Sequence, residues 1–212
     1  MFPSKLYLIA DQHACQERSL LTCVEHALNA GVRLLQYREK EIPGVSRLSI
    51  AKKIKTLCEK FQCTLIINDD IELAVKVGAD GVHLGQEDSS VENARIQLGV
   101  KAIIGVTVRN VTQALEAQKG GADYIGLGPI YKSPTKQPVH PLGCKIIHKV
   151  QDQVKFPIFA IGGISLENVE EVMNAGASGI AVISGILSYP KIGERVHLFL
   201  KLLQESAKEI NL

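Results

Sequence analysis

The chain has 212 residues, 46% of them hydrophobic, and a formal charge of +2, which fits one domain over residues 1–212 with a core of its own. That charge gives no general attraction for nucleic acid or an acidic membrane. No apolar run approaches the roughly 18 residues of a membrane span, and Met1-Phe2-Pro3-Ser4-Lys5 lacks the basic-then-apolar pattern of a secretion signal, so the expected setting is the cytoplasm.

Taken in order, the chain alternates two patterns. Strands are expected at 6–10, 32–37, 64–67, 80–84, 101–106, 123–128, 157–161 and 179–183. They are short, rich in Ile, Val and Leu, and apolar almost continuously, as strands covered on both faces are. Helical spacing follows each strand, at 19–30, 46–61, 71–77, 90–98, 111–119, 144–153, 167–175 and 192–208. In the last helix Val196, Phe199, Leu200 and Leu203 share a face, and Lys201, Glu205 and Lys208 lie opposite. Eight strands alternating with eight helices predict an α/β fold, a single (β/α)8 TIM barrel. A weak fourfold repeat agrees: Gly31-Val32, Gly78-Ala79-Asp80, Gly121-Ala122-Asp123 and Gly176-Ala177-Ser178 each end a helix and open an even-numbered strand.

Polar residues gather at the downstream ends of the strands, where barrel enzymes keep their chemistry. Gly162-Gly163 after strand seven and Ser184-Gly185 after strand eight suit a phosphate, because glycine lets backbone N–H groups approach an anion. In Gln36-Tyr37-Arg38-Glu39-Lys40 a continued period of two puts Gln36, Arg38 and Lys40 on one face and Tyr37 and Glu39 on the other. Guanidinium plus ammonium matches a polyanion such as diphosphate. Asp69 and Asp88 end consecutive strands and can bridge magnesium to phosphate oxygens. Asp70 and Glu87 stand beside them as alternative ligands, and a turn residue or a helix cap would explain either aspartate without a metal. Asp80 and Asp123, at the opposite strand ends, are expected to be structural. His83 reads as a satisfied barrel-lining side chain, and His140 has no partner that the sequence names. The five cysteines form no C-x-x-C pair and read as reduced thiols; Cys58 and Cys63 lack the second pair that a zinc site needs. No Ser/His/Asp or Cys/His arrangement is readable.

Across nearly its whole length the chain resembles the thiamine phosphate synthase family. The likeness is carried by Leu6-Tyr7-Leu8-Ile9, Gln36-Tyr37-Arg38-Glu39-Lys40, Ile67-Asn68-Asp69, Gly81-Val82-His83-Leu84-Gly85-Gln86-Glu87-Asp88 and Gly105-Val106-Thr107. It continues through Gly126-Leu127-Gly128-Pro129-Ile130-Tyr131, Thr135-Lys136, Ala160-Ile161-Gly162-Gly163-Ile164 and Ala181-Val182-Ile183-Ser184. The resemblance implies a transferase that joins hydroxymethylpyrimidine diphosphate to a thiazole phosphate with release of diphosphate. It implies that Gln36, Tyr37, Arg38, Glu39, Lys40, Asn68, Thr107 and Lys136 contact the pyrimidine diphosphate. Within that set, Arg38, Lys40, Thr107 and Lys136 would carry the catalysis. It makes Asp69 and Asp88 the Mg2+ ligands, and Ser133, Pro134, Thr135, Gly163, Ile183 and Ser184 the thiazole phosphate site. The implied partners are small-molecule substrates only, and a homo-oligomer stays open.

Some positions depart from the pattern: Ser133 stands where Thr is common, Thr107 where Ser is frequent, and Gln137-Pro138 where more polar residues are usual. Two rival readings share the same barrel. A thiazole tautomerase-like isomerase would not need the diphosphate residues and would use a His after strand five, where this chain has Thr107-Val108-Arg109-Asn110. A non-catalytic phosphate-ligand-binding paralogue would need fewer convergent cations and no metal carboxylates.

Overall fold

Strands that are apolar on both faces need cover on both, and a closed parallel barrel supplies it. The computed structural model describes residues 2–132 and 140–209. Eight strands pair side by side in chain order, all parallel, and the last returns to the first. They are β1 (Leu6–Asp11), β2 (Leu34–Arg38), β3 (Thr64–Asn68), β4 (Gly81–Leu84), β5 (Ile103–Val108), β6 (Tyr124–Leu127), β7 (Ile158–Ile161) and β8 (Gly179–Val182). The expected (β/α)8 barrel is the fold found.

Around it run α1 (Leu20–Asn29), α2 (Gly44–Lys60), α3 (Ile71–Val77), α4 (Val91–Leu98), α5 (Val111–Lys119), α6 (Lys145–Gln151), α7 (Val169–Asn174), α8 (Ser184–Leu187) and α9 (Ile192–Glu209). Two short pieces were not expected from the sequence: the single turn α8 and a 3-10 turn at Gln12–Cys15. Each is four residues long, too short to show a helical period. The 3-10 turn is started by the Asp11 carboxylate, which accepts the His13 N–H at 3.0 Å. In the fourfold repeat Gly31, Gly78, Gly121 and Gly176 all have positive φ, between +66° and +108°, which turns the chain from helix to strand.

The side chains divide into two apolar layers. Leu6, Leu8, Leu35, Leu65 and Ile67 point outward into the layer beneath the helices, and Tyr7, Ile9, Leu34, Ile66, Tyr124 and Phe159 fill the barrel. Inside, large residues sit beside glycine. Tyr124 pairs in register with Gly105, where an added Cβ would lie 2.0 Å from the tyrosine ring. Phe159 pairs with Gly179, where a Cβ would come within 2.7 Å. Phe2 enters from the amino-terminal end and packs its ring against Tyr124 and Phe159, with centroids 5.1 and 5.2 Å apart.

The amino-terminal face carries the third residue of the repeat. Asp80 accepts the Leu65 N–H at 2.7 Å, Asp123 the Ile104 N–H at 2.7 Å, and Ser178 the Ile158 N–H at 3.1 Å. Each satisfies a backbone donor at or beside the start of the neighbouring odd strand, the structural role expected for Asp80 and Asp123. All five cysteines are free thiols. Among the described residues no helix is long and apolar enough to cross a membrane.

Candidate active site at the carboxyl mouth of the barrel

Because every strand runs the same way, all the downstream ends open at one mouth. The strand period of two turns Gln36 and Arg38 of β2, Asn68 of β3, His83 of β4 and Thr107 of β5 toward the interior. All five line one cavity of about 180 Å³. Its opposite wall is backbone-rich, formed by Gly128 and Pro129 after β6, Gly162 to Ile164 after β7, and Ile183 to Gly185 after β8. Of the sites read from the sequence, Gln36, Arg38, Asn68, Thr107, Gly163, Ile183 and Ser184 therefore come together.

The floor of this cavity is a buried hydrogen-bonded chain. Gln36 Nε2 donates to Tyr7 Oη at 2.8 Å, the Tyr7 and Tyr124 hydroxyls are 2.7 Å apart, and Tyr124 Oη lies 2.9 Å from His83 Nδ1. His83 Nε2 then meets Thr107 Oγ1 at 2.8 Å. Burial pushes the pKa of both phenols well above the ordinary tyrosine value. His83 is barrel-lining and bonded through both ring nitrogens, as its place in the strand suggested.

The cations and acids stand at the same mouth. Arg38 Nη1 is hydrogen-bonded to Asp11 Oδ2, and Asp11 is only 3% exposed. Lys40 Nζ lies 3.1 Å from Asp69 Oδ2. Asp69 adopts the left-handed backbone conformation, with φ +61°, which Asp tolerates better than most residues. The Asp88 carboxyl, which accepts the Gly85 N–H at 2.6 Å, has its pKa raised by burial and then by contact with the Asp69 carboxyl. The Gly85 N–H and Lys40 oppose that rise. The neighbouring acids are placed differently. Asp70 caps α3 through the Leu73 N–H at 2.8 Å and pairs with Arg47 at 2.6 Å, and Glu87 is exposed. Asp88 is not the cap of α4; that is Ser90, which accepts the Asn93 N–H at 3.1 Å.

Two facing carboxylates, one holding its proton harder because of the other, form a charge arrangement that a divalent cation relieves. Among the described residues no group of three or more His, Cys, Asp or Glu is arranged to cage a metal. The two carboxylates suit magnesium, which is commonly held by one or two carboxylates with substrate oxygens and water.

Tyr37 and Glu39 do not line the cavity. The pleat sends Tyr37, 1% exposed, into the layer beneath the helices, and Glu39 accepts the Glu41 N–H at 2.8 Å. Of the five residues from Gln36 to Lys40, Gln36 and Arg38 line the cavity, and Lys40 pairs with Asp69 beside it. Ser133, Pro134, Thr135 and Lys136 lie outside the described residues. Gly162 and Gly163 have φ of +95° and +65°, and a Cβ on Gly163 would come 2.4 Å from the Lys132 carbonyl. Only glycine fits this turn.

Two residues at the site were not singled out in the sequence. Arg109 lines the cavity and donates from Nη2 to the His140 carbonyl at 3.3 Å. Asp11 orients Arg38. Both carried a signal: Ile103, Gly105, Thr107 and Arg109 share one parity, as do Tyr7, Ile9 and Asp11, and that parity faces inward.

Comparison with known proteins adds to this geometry. The family model described as thiamine monophosphate synthase matches residues 6–186. The chain is 39% identical over 203 residues to a thiamine-phosphate synthase of Clostridium acetobutylicum, with 96% of each chain covered. It is 44% identical over 209 residues to the Dictyoglomus thermophilum thiamine-phosphate synthase, covering 94% of each. A solved thiamine phosphate pyrophosphorylase from Pyrococcus furiosus superposes with a TM-score of 0.86 at 33% identity, covering 95% of this chain and 96% of that one. With its barrel, its mouth and its sequence in agreement, the chain belongs to the thiamine monophosphate synthase family of transferases.

Proposed function

We propose that the chain joins hydroxymethylpyrimidine diphosphate to thiazole phosphate in the cytoplasm, forming thiamine phosphate and releasing diphosphate. The observation that carries this reading is the gathering at one mouth of Arg38, Lys40 and the facing pair Asp69 and Asp88, with Arg38 lining a cavity whose far wall is built of glycine and suits a second phosphate.

The reaction needs no strong base. The thiazole nitrogen brings its own lone pair to the pyrimidine methylene, and the carbon–oxygen bond to diphosphate breaks with its electrons leaving on oxygen. What the site must do is meet the charge that develops on the leaving group. Arg38, held by Asp11, and Lys40 would meet it, and Lys136 is assigned the same role through the family pattern. Thr107 can donate to a diphosphate oxygen, and a preorganised donor of this kind contributes about 3 kcal/mol to the rate. Asp69 and Asp88 would hold magnesium, which when bound neutralises diphosphate charge. Gly163, Ile183 and Ser184 would seat the thiazole phosphate.

The test is diphosphate release with both substrates and magnesium. Asp88→Ala and Lys136→Ala are each expected to lower turnover about 100-fold with an unchanged circular dichroism spectrum. Near-normal turnover of either variant at saturating magnesium overturns its role. Binding of thiazole phosphate without product would favour a regulator, and ring isomerisation without diphosphate release a tautomerase.

A further inference from the structure

The chain of bonds beneath the cavity crosses the barrel from β2 to β5, and its links restrict one another. A phenol has one proton to give, and a neutral imidazole carries one N–H. Burial keeps both phenols protonated. Gln36 Nε2 has only hydrogens to offer, so Tyr7 Oη accepts from it, and the Tyr7 proton turns toward Tyr124. Tyr124, having accepted, gives its own proton to His83 Nδ1. With the imidazole in its neutral form, the ring hydrogen then sits on Nε2 and points at Thr107 Oγ1, 2.8 Å away. Thr107 lines the cavity, and its hydroxyl hydrogen is left to point there.

We propose that Gln36, Tyr7, Tyr124 and His83 form a one-way orienting chain that sets the Thr107 hydroxyl as a hydrogen-bond donor to the bound ligand. Reversing the amide of Gln36 reverses every link: Tyr7 then donates to Gln36, Tyr124 to Tyr7, His83 from Nδ1 to Tyr124, and Thr107 to His83, leaving the ligand only lone pairs. The identity of a ligand group at Gln36 is thus felt at Thr107 on the far side of the barrel. A ligand N–H held by the Gln36 carbonyl oxygen keeps the donating state, and a ligand acceptor there favours the reversed one. The barrel interior is built to hold these links. Gly105 leaves room for the Tyr124 ring, and a Cβ at Gly126 would stand 3.1 Å from His83 Cε1. Tyr7, Tyr124 and His83 are positioning residues in this account. It rests on the proposed reaction only for the acceptor that Thr107 meets, a diphosphate oxygen.

The tautomer of His83 reads the polarity without any assay of activity. Long-range nitrogen–proton correlation spectra of the full chain, with histidine isotopically labelled, are expected to show His83 with its hydrogen on Nε2. Gln36→Glu, whose carboxylate only accepts, is expected to move that hydrogen to Nδ1. An Nδ1–H tautomer in the parent protein overturns the proposal, and so does an unchanged tautomer in a folded Gln36→Glu variant. If that variant does not fold, Tyr7→Phe removes one oxygen from the same chain: loss of the pure Nε2–H state supports the proposal, and an unchanged state overturns it.

Turnover supplies a second reading. Tyr124→Phe is expected to lower kcat about 10-fold in the parent, yet less than about two-fold in a Thr107→Val background, because the two act as one unit. Additive losses overturn the coupling. A parent protein with the expected tautomer and no diphosphate release would leave the chain standing and refute the assigned reaction instead.

Discussion

Asp11 and Arg38 form a charged contact at the site, and their burial gives it consequence. A guanidinium has two ends: one is taken by a carboxylate that is 3% exposed, and the other faces the cavity. Asp11→Asn keeps the shape and removes the charge, so turnover is expected to fall about 10-fold while KM for the diphosphate substrate changes less. Asp11→Ala, which strands a partly buried cation, is expected to cost about 3 kcal/mol of stability as well. Steady-state kinetics and a thermal melt check both. Asp69 gives a separate prediction. Asn tolerates the left-handed backbone as Asp does, so Asp69→Asn should fold normally. Magnesium with inorganic diphosphate should raise the melting temperature of the parent by a few degrees, a linkage effect, and leave that of Asp69→Asn unmoved. At this scale the sequence was readable wherever polarity followed strand parity. Gln36 and Arg38 were found that way, Asn68 and Thr107 came only through the family resemblance, and Arg109 and Asp11 follow from the parity rule carried two residues further. The choice between Asp69 and Asp70 was not readable, since it depends on which carboxylate the cap of α3 consumes.

The elements were legible because a doubly covered strand has little freedom in composition. All eight strands and the eight long helices fall within a few residues of their expected places. The largest shift is informative: β5 was expected at 101–106 and runs from Ile103 to Val108. Thr107 therefore stands on the strand as an inward-facing residue and not in the loop after it. The expected starts at 80 and 123 are early by one residue because Asp80 and Asp123 turn their side chains back onto neighbouring strand N–H groups. Packing between elements gives a sharp prediction at Gly105. Its Cβ would overlap the Tyr124 ring at 2.0 Å, and that ring is pinned by two hydrogen bonds. Gly105→Ala should cost about 3 kcal/mol by chemical denaturation, the upper part of the usual overpacking range, and should lower activity by displacing Tyr124. A variant as stable as the parent would show that the ring can move.

For the molecule as a whole, barrel closure is what brings the site together, and it also hides part of the site from the sequence. Tyr7, Gln36, His83 and Tyr124 come from four strands and span more than half the chain. No local spacing announces that they touch; only the closed register does. The ring of Phe2 packs against Tyr124 and Phe159 at the amino-terminal end of the barrel, beneath the floor of the cavity. In the proposed reaction, a substrate resting on the Gln36 and Thr107 floor is expected to bind before its co-substrate and to leave after it. Double-reciprocal plots for the two substrates are expected to intersect, and parallel lines would rule out such a queue.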